Sequence, residues 1–264
     1  MHLINETNCF DAWHATSRYI LDQGGETYNI LINIEDPCLF DQSWLDDYNP
    51  KNITLSKGKK GDNLTDVIHT IFPMRFLSRF NDRQKLYAYY LKTHLRKPKI
   101  SGRKNNRWGT YFTRLICYES NTKIRSEINP RDSLDVIKNK HEKIFSDKNQ
   151  LEIVISKLAN WEKAHKAALY CHISSTHLDS VQTIGSPCLQ YLQFSQPDVN
   201  HVDMTAVYRN HDYFNKALGN FIGLGQLLKF ICDESGKIPG RLTCHSIHAY
   251  IDVSNRKMRQ LLRI

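Results

Sequence analysis

A chain of 264 residues with 41% apolar and 24% charged residues has the length and composition of one folded domain with a full core, not of a low-complexity chain. No apolar run approaches a membrane span, and the N-terminal MHLINETNCFDAWH lacks the basic and apolar layout of a secretory signal. The net charge of +9 favours an anionic partner, and seven cysteines without regular spacing read as reduced thiols of a cytoplasmic protein.

In chain order, CFDAWHATSRYILDQG predicts a first helix stopped by Gly24-Gly25, and TYNILINI a strand after it. LTDVIHTIFPMRFL has helical spacing of Val67, Ile68, Ile71 and Phe72 before Pro73 disturbs it. DRQKLYAYYLKTHL predicts another amphipathic helix. A basic stretch over 92–107 then carries seven Lys and Arg residues. It reads either as a solvated loop or as a nucleic-acid contact through Lys97, Arg103 and Arg107. The polar region 119–148 reads as an insertion or exposed excursion. A helical stripe resumes at Leu151, Val154, Ile155 and Leu158. HKAALYCHIS, SPCLQYLQF and DMTAVYRN predict strands, NFIGLGQLLKFICDE a buried helix, and GRLTCHSIHAYIDV a last strand. Without a regular βαβ rhythm the class is α+β.

SPCLQYLQF raises a choice for Cys188, between a nucleophile on a strand and an inert buried thiol. Downstream stand Arg209, Asn210 and Asp212 in YRNHD, then Asn220, then His248 and Tyr250 in HAY. Each has an ordinary reading: Arg209 as an ion pair, Asn220 as a helix cap. His248 and Tyr250 alternate along a strand and so share a face. CHSIH lacks a second ligand pair at zinc-site spacing, so no metal is expected. The glycines of GNFIGLG match neither a phosphate loop nor a dinucleotide fingerprint and point to close helix packing.

This order resembles the thymidylate synthase family. Arg209 lies 21 residues after Cys188, and Asn220 lies eight after Asp212. DVIHTIF, RWGTYFTRL and NQLEIVISKLAN are similar to further family segments, so the resemblance is collinear from about residue 60 to 252. It implies a large mixed sheet flanked by helices and a homodimer. It also implies transfer of a methyl or hydroxymethyl unit from 5,10-methylenetetrahydrofolate to C5 of a pyrimidine nucleoside monophosphate, dUMP-like by the Asn at 220. Cys188 would attack C6, with Asp212 beside the base and folate. Arg209 would favour the thiolate and hold phosphate. Asn210 and Asn220 would contact the nucleotide, with Asn220 reading the base edge. His248 and Tyr250 would bind the sugar. His165 and Lys166 would lend phosphate-binding charge to a partner subunit.

The departures are specific. The family's catalytic Glu is matched by Thr70, which cannot do a carboxylate's proton transfer near neutral pH. The Tyr of its YG segment is matched by Trp108, and the His after its nucleophile by Leu189. A nucleotide sensor without turnover, or a modifier of another pyrimidine nucleotide or nucleic acid, therefore stands as an alternative.

Overall fold

The computed structural model describes residues 1–55, 58–96, 109–160, 168–179 and 185–264. Lys97, Arg103, Arg107, Trp108, His165 and Lys166 lie outside the described residues.

The first strand was not anticipated. β1 (His2–Glu6) pairs in parallel with β2 (Glu26–Ile34). Between them α1 (Cys9–Asp22) starts where the Asn8 side chain accepts from the backbone N–H groups of Phe10 and Asp11. It ends at Gly24 and Gly25, whose φ values of +91° and +108° are cheap only for glycine. The short α2 (Ser43–Asp47) follows β2, and α3 (Leu64–Ile71) ends as Pro73 approaches, with α4 (Met74–Phe80) beginning beyond that proline. The next helices are α5 (Arg83–Arg96), α6 (Tyr111–Ile116), α7 (Asn121–Glu127), α8 (Leu134–Phe145) and α9 (Gln150–Asn160).

The region 119–148 is not an exposed excursion. Ile124, Ile128, Ile137, His141 and Phe145 are buried, and α8 packs on α5. The polar residues between these apolar positions form the outer faces of α7 and α8, which is why composition misled. The His141 Nε2 lies 2.7 Å from the Ile116 carbonyl, so even its buried polar group is satisfied.

The C-terminal half builds most of the sheet: β3 (Tyr170–His172), β4 (Leu189–Ser195), β5 (His201–Tyr208), β6 (His211–Asp212) and β7 (Ile238–Tyr250). The short α10 (Thr176–Asp179) follows β3, and α11 (Ala217–Ser235) connects β6 to β7, with α12 (Asn255–Leu262) closing the chain. The sheet has seven strands in the order β1-β2-β7-β5-β4-β3, with β6 also on β7. Its parallel and antiparallel pairs are mixed.

Alternation decides which face is covered. Ile30, Ile32, Ile34, Leu242, Cys244, Met204, Ala206, Leu192 and Phe194 are buried under the helices. Each such Ile, Leu or Phe contributes roughly 1.5–3 kcal/mol by leaving water. Leu3, Tyr170 and Ile247 point to the other face and are exposed. The fold is thus α+β, a large mixed sheet with helices, as the thymidylate synthase resemblance implies.

α11 is the central helix, and its glycines set its distance from α3. A Cβ on Gly219 would lie 2.9 Å from Val67 Cβ, and one on Gly223 would lie 3.0 Å from Ile71 Cβ. Glycine at these two positions lets the helices touch through backbone and brings Thr70 near Asn220. The seven cysteines form no disulfide. No helix among the described residues is long and apolar enough to cross a membrane.

Candidate active site

β5 and β6 follow the same edge of β7, and the chain kinks between them at Arg209 and Asn210. That kink, the approach to β4, the end of β7 and the first turn of α11 converge on a cavity of about 230 Å³. Cys188, Asn210, Asp212, Asn220 and Tyr250 line it. So do Thr70 and Val67 of α3, Gly109, Thr110 and Tyr111 at the start of α6, and His211 and Lys216. Five residues expected at a site from sequence order are therefore brought together from separate elements.

Cys188 is half-buried immediately before β4. Burial pushes its thiol above the ordinary value, while the nearby positive charges of Arg209 and Lys216 oppose the rise and Asp212 adds to it. Burial outweighs the cations. The Tyr111 hydroxyl meets the backbone N–H groups of Leu189 and Cys188, and burial raises that hydroxyl as well.

Arg209 does not line the cavity. Its Nε donates to the Pro187 carbonyl at 2.9 Å and its Nη2 to the Ser186 carbonyl at 3.0 Å. The backbone N–H of Arg209 also donates to the Cys188 carbonyl at 2.9 Å. The guanidinium of this exposed residue thus grips the segment that presents the thiol.

His248 is likewise outside the cavity lining. Its Nδ1 lies 2.7 Å from Asn210 Oδ1 and its Nε2 lies 3.1 Å from Glu26 Oε2. Both ring nitrogens are engaged, which leaves none for the sugar contact expected of it. His248 stacks on Tyr250 with 5.3 Å between centroids, so the shared strand face is real. Asn210 links the two, because its side chain also bonds the Tyr250 hydroxyl. Burial pushes that hydroxyl up to about 12.

Asp212 is half-buried, and burial raises its carboxyl above the ordinary value. Oδ1 accepts from the backbone of Phe214 and Asn215 at 2.9 and 3.1 Å, and Oδ2 from Asn215 Nδ2 at 2.8 Å. Asn220 is not a helix cap. It sits inside the first turn of α11, only 3% exposed, with Nδ2 3.1 Å from His211 Nε2.

On the helix side, Thr70 Oγ1 donates to the Val67 carbonyl of its own helix at 2.6 Å. Thr110 caps α6 by accepting from Thr113 N–H at 3.2 Å. Lys216 borders the cavity and pairs with Asp62 at 2.5 Å. Lys216, Tyr111 and His211 were not singled out from sequence. Tyr111 and His211 lie in segments that carried a signal, RWGTYFTRL and YRNHD, and Lys216 lies in neither. No group of three His, Cys, Asp or Glu among the described residues could hold a metal.

No protein-family model matches the chain. It is 31% identical over 105 residues to a Methanococcoides burtonii protein named "Putative thymidylate synthase", covering 39% of this chain and 46% of that one. A protein of the same name from Methanosarcina barkeri is 30% identical over 44% of this chain and 49% of its own length. The Methanothermobacter marburgensis protein of that name is 24% identical over 44% and 50% respectively. The matched part of the chain spans about half the length of these curated relatives. Similarity to these relatives and a mixed sheet flanked by helices agree with the order of Cys188, Arg209, Asp212 and Asn220: the chain is thymidylate synthase-like.

Proposed function

We propose that this protein transfers a one-carbon unit to C5 of a pyrimidine nucleoside monophosphate. The observation that carries the reading is the shared cavity of Cys188, Asp212, Asn220 and Tyr250. Pyrimidine C5 is a poor nucleophile by itself. When the Cys188 thiolate adds to C6, the C5=C6 π pair moves toward C5 and O4, and C5 becomes nucleophilic. Bond formation at C5, loss of the C5 proton to a base and expulsion of the thiolate restore the ring. Arg209 positions the thiol and offers its free N–H groups to the phosphate. Asn220 reads the base, and Tyr250, held by Asn210, faces the sugar.

The donor implied by the resemblance is 5,10-methylenetetrahydrofolate. The cavity of about 230 Å³ is on the scale of one small ligand, and the choice between a methyl and a hydroxymethyl product would rest on the donor chemistry. A second copy of the chain is the proposed partner, across the sheet face that carries Leu3, Tyr170 and Ile247. Sedimentation equilibrium tests that pairing.

One observation favours a second reading, binding without turnover: Thr70 supplies no carboxylate to the cavity and spends its hydroxyl on Val67. Exchange of the C5 hydrogen in deuterated water separates the two, because it needs C6 addition but no donor. Wild-type protein should exchange the C5 hydrogen of dUMP, and Cys188→Ala should lose about 10⁴-fold or more of that rate. Saturable nucleotide binding without exchange would favour the sensor.

A further inference from the structure

Thiolate addition to C6 makes an electrostatic demand on the cavity. The S–C6 bond forms from the sulfur's electron pair, and the C5=C6 π pair moves through C5 to O4. The negative charge that leaves sulfur then rests largely on O4. A cation or donor already in place at that oxygen lowers the barrier, because it binds the charge only as it develops.

Most polar groups of the cavity cannot meet this demand. Asp212 is a carboxyl, and Thr70 and Thr110 are neutral hydroxyls bonded to Val67 and to Thr113. The Tyr111 hydroxyl is engaged by the backbone N–H groups of Leu189 and Cys188. His211 is neutral, its imidazole pushed down to about 3 by burial, and its two ring nitrogens face Ser246 and Asn220. Lys216 remains, the only Lys or Arg among the described residues that line the cavity.

Its placement suits O4. Lys216 immediately precedes α11, and its carbonyl accepts from the Asn220 backbone N–H at 2.8 Å, so the two residues stand one helical turn apart and both border the cavity. The charge of Lys216 is also close enough to act on the Cys188 thiol. In a uracil ring O4 lies between N3, on the edge assigned to Asn220, and C5, beside the C6 assigned to Cys188. A cation within reach of Asn220 and Cys188 is therefore within reach of O4.

Asp62 keeps the ammonium at this rim. Its carboxylate pairs with Lys216 Nζ at 2.5 Å. Its backbone N–H donates to Asn215 Oδ1 at 3.1 Å, and Asn215 Nδ2 donates to Asp212 Oδ2 at 2.8 Å, so Asp62 is tied to the site independently of Lys216. The Lys216 and Asp62 side chains are 45% and 31% exposed, which makes the pair a weak one. An ammonium has three donors and can bond a ligand oxygen while it keeps the carboxylate.

We propose that Lys216 is a catalytic residue whose ammonium bonds O4 and stabilises the charge that C6 addition places there. The proton stays on Nζ. C5 takes a hydrogen from water, and loss of the original C5 hydrogen with return of the electron pair to sulfur restores the ring. The inference rests on the reading of this cavity as a site of C6 addition.

Two measurements on wild type, Lys216→Gln and Lys216→Arg test it: exchange of the dUMP C5 hydrogen in deuterated water, and calorimetric binding of dUMP. Lys216→Gln should lose about a hundredfold or more of the exchange rate, the usual worth of one oxyanion donor. Its dUMP affinity should stay within about threefold, because the charge exists only after addition. Lys216→Arg keeps a cation and should hold the exchange rate within about tenfold of wild type. Exchange in Lys216→Gln within about threefold of wild type would mean that Lys216 acts through the thiol alone, and that overturns the proposal. An affinity that falls as far as the exchange rate makes Lys216 a ground-state binding group and overturns it too. Either result leaves C6 addition at this cavity standing. A wild type that binds dUMP without exchange overturns the transfer reading and this inference with it.

Discussion

On the strand wall of the cavity, Cys188, Asp212 and Tyr250 stand at β4, β6 and β7, while the helix wall offers Thr70 from α3 and Thr110 at the start of α6. The strand groups carry a thiol, a carboxyl and a phenol whose proton affinities are all displaced upward by burial. The helix groups are hydroxyls already turned into helical backbone, Thr70 onto Val67 and Thr110 onto Thr113. The strand wall thus keeps ionisable groups, and the helix wall offers self-satisfied hydroxyls. On the proposed reaction, proton transfer at C5 would fall to water or to the strand wall.

The largest effect should come from detaching the walls. Arg114 of α6 forms a buried pair with Asp179 at 2.7 Å, and this ties the helix carrying Thr110 and Tyr111 to the β3 side. Arg114→Leu leaves Asp179 buried and unpaired, and urea unfolding should show a loss of about 3–5 kcal/mol. A loss under about 1 kcal/mol would mean that the walls are held together elsewhere.

Thr70→Glu would put a carboxylate back on the helix wall. If that wall limits turnover, C5-hydrogen exchange should rise about a hundredfold, the usual worth of a positioned acid–base group. An unchanged rate would break the comparison and assign proton transfer to the strand wall.

Gly219→Ala adds a methyl group 2.9 Å from Val67 Cβ and pushes α3 away from α11. Thermal and urea unfolding should register about 1–3 kcal/mol of overpacking. Nucleotide affinity should fall as well, because the cavity would lose its fit around Asn220.

The smallest effect concerns pH. Because the folded Cys188 thiol lies above the ordinary 9.0, it stays protonated below that value, so alkylation by iodoacetamide should keep climbing with pH and not level off before pH 9. Lys216→Gln removes one of two cations that pull the thiol down, moves the curve further up and slows alkylation at pH 8 by about threefold. A plateau near neutrality would show that the charges outweigh burial.

Legibility in the sequence followed the reach of the interactions. The α1 end at Gly24-Gly25 and the α3 stop before Pro73 were readable because the causes are local. The close glycine packing of α11 was readable too, although its partner α3 was not. The β1 strand was missed because its pairing depends on β2 alone among the strands, at the sheet edge. The exposed reading of 119–148 fails because polar composition hides five buried side chains, Ile124, Ile128 and three on α8. Among site residues, Cys188, Asp212, Asn210, Asn220 and Tyr250 do reach one cavity. Arg209 and His248 do not, because each found nearer partners.

By itself the sequence determined the α+β class, the order of the chemistry-bearing residues and the absence of a carboxylate at Thr70, since these depend only on residue types and spacing. Tertiary structure alone decided that burial overrides Arg209 at Cys188, that His248 is spent on Asn210 and Glu26, and that His211 backs Asn220. Those outcomes turn on distances of about 3 Å between groups far apart in the chain, and hydrogen bonds and local dielectric are set at that range.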